Sequence, residues 1–101
     1  MNIWVLGSAE ICTAFALAGV KVRVAENRTE MLSALDELAG RDDVRVLAVE
    51  EAHAGLVREA IDRLKLDPRA PLVVELPGLQ GPAEDWRTAL ELVRQALGIR
   101  L

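Results

Sequence analysis

Four short apolar runs divide this chain at near-regular intervals, and that punctuation leaves few folds open. They are Asn2-Ile3-Trp4-Val5-Leu6, Val20-Lys21-Val22-Arg23-Val24, Val44-Arg45-Val46-Leu47-Ala48-Val49 and Pro71-Leu72-Val73-Val74-Glu75-Leu76. Each is strand-length and rich in β-branched residues, and helix-period sequence lies between them. Alternating strands and helices make a parallel sheet with crossover helices, because parallel neighbours cannot be joined by a tight hairpin. Right-handed crossovers then put helices on both faces.

The predicted element order is β-α-β-α-β-α-β-α with strand order 2-1-3-4, a small α/β fold of the Rossmann-like or CheY-like three-layer α/β/α kind. At 101 residues the chain reads as one domain over residues 1–101. The second strand alternates Val20, Val22 and Val24 with Lys21 and Arg23, which predicts an edge strand. The third, apolar except for Arg45, is predicted to be central.

Local signals place the helices. Ser8 is a predicted cap for the first, whose stripe is Ile11, Phe15 and Ala18, widened by Ala14 and Leu17, and Gly19 ends it. Asn27 or Thr29 caps the second, which turns Met31, Leu32, Leu35 and Leu38 inward. The third helix is predicted from about Ala52 to Leu66, with Leu56, Val57, Ala60, Ile61 and Leu64 on its inner side and Glu59 paired with Arg63 at i,i+4. Asp67-Pro68-Arg69-Ala70-Pro71 is a loop, and Pro77-Gly78 stops the last strand. A final amphipathic helix follows, from about Ala83 to Leu97.

Composition narrows the function classes. A net charge of -4 gives no general positive surface for nucleic acid, and three aromatic residues make no ladder for stacking bases. No apolar run approaches the roughly 20 residues of a membrane span, and the start reads as a strand rather than a secretory signal. A single cysteine, Cys12, excludes an internal disulfide and fits a reducing cytoplasm.

Ligands of parallel sheets bind beyond the carboxyl ends of the strands, and there the sequence offers little chemistry. Gly7-Ser8 stands where a phosphate loop would lie, but neither G-x-G-x-x-G nor G-x-x-x-x-G-K-[ST] is present, so it reads as a tight turn. Cys12 reads as a small buried hydrophobe rather than a nucleophile. Glu50 and Glu51 read as charges favoured by a helix N-terminus. His53, the only histidine, has no partner nucleophile nearby in sequence, and one Cys and one His cannot build a metal cluster. No catalytic, cofactor-binding or metal residue is assigned.

The final helix is apolar over more than one stripe: Trp86, Ala89, Leu90, Leu92, Val93, Ala96 and Leu97, with Ile99 and Leu101 beyond. The surplus fits a partner surface and equally fits burial at the sheet edge. Trp86, Leu90, Val93 and Leu97 are the candidate partner-binding residues.

The run from Gly7 through Phe15-Ala16-Leu17-Ala18-Gly19 to Val20 resembles the G-D-x(5)-G-F-x-L-A-G-[VI] opening of the F subunits of V/A-type ATPases. Pro71 to Gly78 is similar to the family's fourth strand and its P-x-[IV]-[VL]-x-[IL]-P-[GS] ending. Ser8 stands where the family has an acid and Ala14 where it has glycine, and the tail after Gly98 is short. The resemblance implies a non-catalytic rotor component of the central stalk, without a cofactor. Such a component is peripheral to the membrane on the cytoplasmic side. It binds the coiled-coil D subunit of the central stalk, near the A and B subunits of the catalytic head. A receiver-like signalling domain would need acids after the first strand and a late Lys, whereas here Gly7-Ser8 ends the first strand and no Lys follows Lys65. A small phosphocysteine-type carrier enzyme would depend on Cys12.

Overall fold

The computed structural model describes residues 2–76. Within them the chain runs β1 (Ile3–Gly7), α1 (Ala9–Leu17), β2 (Lys21–Val24), α2 (Arg28–Ala39), β3 (Val46–Glu50), α3 (Glu51–Ala54), a 3-10 turn (Gly55–Val57), α4 (Arg58–Leu66) and β4 (Leu72–Leu76). The four strands form one sheet in the order β2-β1-β3-β4, and all three pairings are parallel. This is the predicted topology. The predicted final helix, with Trp86, Leu90, Val93 and Leu97, lies outside the described residues.

Side-chain alternation along β1 divides the core into two layers. Leu6, and beside it Trp4, face α2 and α4, where Met31, Ala34, Leu35, Leu38, Leu47, Val49, Val57 and Ile61 pack together. Val5 faces the other way, onto Ile11, Cys12 and Phe15 of α1 together with Ala48 and Leu76. The central strand β3 is buried from Val46 to Val49, as strands covered on both faces must be. Burying each Leu or Ile of this core contributes roughly 1.5–3 kcal/mol.

The edge strand β2 is the least buried, and the predicted inward face is only partly inward. Val20 and Val22 pack on the α1 layer, whereas Val24 is 45% exposed. On α1, Ile11, Cys12 and Phe15 are buried, but Leu17 is 86% exposed and Ala18 is already the C-cap. The helix ends before its last apolar residues reach the sheet. Gly19, at φ +85°, takes the left-handed conformation that lets the chain turn into β2.

The third predicted helix is not continuous. Val57 sits at φ −134° and ψ 41°, outside helical geometry, and separates α3 with its 3-10 turn from α4. The break turns Val57 into the core at 4% exposure and leaves Leu56 exposed. β3 begins two residues later than predicted. Arg45 and Val46 N–H both donate to Asn2 O, so Val44 and Arg45 lead into the strand rather than extend it.

Candidate functional site at the carboxyl ends of the strands

Crossover helices run opposite to parallel strands, so helix N-termini gather at the strands' carboxyl ends. Their free backbone N–H groups make an anion-binding place. At α1 that place is filled by the chain itself. Ser8 N–H donates to Glu50 Oε1 at 2.9 Å, and Ala9 N–H donates to Glu26 Oε1 at 2.7 Å. Ile11 N–H donates to Ser8 Oγ at 3.4 Å, and Cys12 N–H to Ser8 O at 3.0 Å. The N–H groups of Ser8, Ala9 and Ile11, which a phosphate would use, are held by two carboxylates and the cap.

α2 is closed in the same manner. Asn27 Oδ1 accepts from Glu30 N–H at 2.9 Å, and Glu30 reaches back to accept from Glu26 N–H at 3.1 Å. The reciprocal arrangement follows capping-box logic and settles the cap on Asn27. It also steadies the segment that carries Glu26 to α1.

Gly7 is what allows Glu50 so close. A Cβ on Gly7 would lie 2.8 Å from Glu50 Oε1, 2.9 Å from Glu50 Cβ and 2.9 Å from Ile11 Cγ2. The glycine therefore serves the approach of a neighbouring side chain, not that of a ligand.

The remaining candidates do not assemble into reactive chemistry. Cys12 is buried, its Sγ 3.3 Å from Arg23 O, 3.7 Å from Gly7 O and 3.9 Å from Val5 O. Burial pushes the thiol above its usual pKa, and the nearby Glu50 charge adds to that. A raised pKa is the opposite of what a thiolate nucleophile requires. His53 Nδ1 lies 3.2 Å from Glu50 Oε1 but makes no aligned hydrogen bond, with side-chain exposures of 16% for His53 and 14% for Glu50. Glu51 is exposed on the first turn of α3. Among the described residues, no three His, Cys, Asp or Glu side chains group to hold a metal.

A second polar cluster ties α4 to β4. Arg58 donates to both oxygens of Glu75 at 2.7 and 2.8 Å, and Lys65 Nζ donates to Glu75 Oε2. The Arg58 and Lys65 hydrogen bonds hold the Glu75 carboxyl at about 2. Arg58 also pairs with Asp62 at 3.7 Å, and this pair, not Glu59–Arg63, is the i,i+4 ion pair of α4 among the described residues. At the opposite end of the sheet, Arg41 and Lys21 stand over the Trp4 ring at 5.0 and 5.8 Å. Arg41 also holds Asp43 through two hydrogen bonds of 2.8 Å, which lower that carboxyl to about 2.

Sequence reasoning placed Ser8 as the α1 cap and Cys12 as a buried thiol correctly; it read Glu50 as a charge at a helix N-terminus, but the carboxylate crosses to α1 instead of capping its own helix. It missed Glu26 as a second cap on α1 and Glu75 as a hub, because both depend on side chains far apart in sequence. Alternating charge on α4 signalled ion pairs but not which partners would win.

The sequence model of the family described as ATP synthase (F/14-kDa) subunit matches residues 3–93. The chain is 26% identical to the F subunit of the A-type ATP synthase of Methanocaldococcus jannaschii over 102 residues, covering 100% of this chain and 99% of the relative. It is 29% identical to the A-type F subunit of Thermococcus kodakarensis over 106 residues, covering 100% and 98%. Against that of Methanothermobacter thermautotrophicus it is 28% identical over 102 residues, covering 99% and 95%. The match spans most of the chain, and the chain belongs to this family of ATP synthase subunits.

Proposed function

We propose that this member of the family of ATP synthase F subunits is a non-catalytic rotor component of a V/A-type complex. It binds the coiled-coil D subunit of the central stalk and helps couple ATP hydrolysis or synthesis to proton or sodium transport. Membership of the family over residues 3–93 is the observation that carries the reading. The A and B subunits of the catalytic head are its further neighbours. Its place is cytoplasmic and peripheral to the membrane, and no described helix is long and apolar enough to cross one. The candidate contact with the stalk is the predicted final helix, outside the described residues, through Trp86, Leu90, Val93 and Leu97.

The described body supports this reading through what its best ligand position contains. The α1 N-terminus is closed by Glu50 and Glu26, and Cys12 is a buried thiol turned to backbone carbonyls. Neither suits a phosphocysteine carrier or a phosphate-receiving switch. A torque-bearing subunit needs a stiff body and a well-packed contact rather than tuned acids and bases.

Co-expression with the coiled-coil stalk protein of the same organism tests the proposal by size-exclusion chromatography with light scattering. The expected result is a stable one-to-one complex that Leu90→Asp or Val93→Asp weakens while the free chain keeps its melting temperature. A folded monomer that forms no complex at micromolar concentration would refute it.

A further inference from the structure

We draw no further inference here: the strongest candidate, the apolar groove between α2 and α4 lined by Leu32, Ala39, Ala60 and Leu64 with Asp36 and Arg63 on its walls, carries none because nothing in the structure shows what covers it.

Discussion

The two ends of the parallel sheet carry different charge. At the carboxyl ends of the strands stand Glu10, Glu26, Glu30, Glu50 and Glu51, against Arg28 and, at the start of α4, Arg58, which is itself tied to Glu75 of β4. At the amino ends, Lys21, Arg41, Arg45 and Arg69 mix with Asp42, Asp43 and Asp67, Arg41 paired with Asp43 and Arg69 with Asp67. Topology explains the difference. The N-termini of α1, α2 and α3, with their partial positive charge, lie at the first end, and the C-termini of α1, α2 and α4 at the second. Three of these acids, Glu26, Glu30 and Glu50, accept from backbone N–H groups at the strand ends, where active sites of this architecture sit. Glu50 and Glu26 occupy the anion position instead of serving a ligand there.

That contrast can be broken by mutation. The largest effect is expected in the layer beneath both ends: Leu47→Ala, fully buried in central β3, should cost about 2–5 kcal/mol in urea unfolding. Gly7→Ala attacks the carboxyl end directly. The new methyl collides with Glu50 and Ile11, for a loss of about 1–3 kcal/mol, and its combination with Glu50→Gly, which removes both the carboxyl and the Cβ it would meet, should cost less than the sum of the two. A full sum would mean that Gly7 and Glu50 are not coupled.

Smaller effects sharpen the comparison. Asn27→Ala removes the α2 cap and should cost about 1 kcal/mol. Glu75 supplies the pH dependence. Its carboxyl is held at about 2 against an ordinary 4.5, so its ion pairs contribute fully above pH 4.5 and are lost as pH falls toward 2. Acid titration of stability should therefore be flatter for Glu75→Gln than for the parent across that window, by about 1 kcal/mol for a cluster so near the surface. Equal slopes would show that the Arg58 and Lys65 contacts contribute nothing. Last, Cys12 should react with a thiol reagent on the order of 100-fold more slowly in the folded chain than in urea.

Much of this was legible in the sequence. The alternation of apolar runs carried the element order and, with right-handed crossovers, the strand order, because both follow from local patterning and chain connectivity. Ser8 and Asn27 are short-range caps and were readable for the same reason. The break at Val57 was hidden because Leu56 and Val57 both fit a helical stripe, and only packing against the sheet chose Val57. Glu59 and Arg63 had the spacing for a pair, but spacing does not show that Arg58 and Lys65 would converge on Glu75, a strand away. Glu26 as a cap required knowing that the β2–α2 connection passes the start of α1.

The proposed role is to act by binding an assembly and not by chemistry at the strand ends. The most direct test is ATP turnover and ion pumping of the reconstituted rotary complex carrying the Cys12→Ala, His53→Gln variant, which lacks the chain's only cysteine and only histidine. The proposed role predicts unchanged turnover and coupling, with the folded variant incorporated at the parent's stoichiometry. Loss of turnover in a fully assembled complex would contradict it and return the strand ends to the centre of the mechanism.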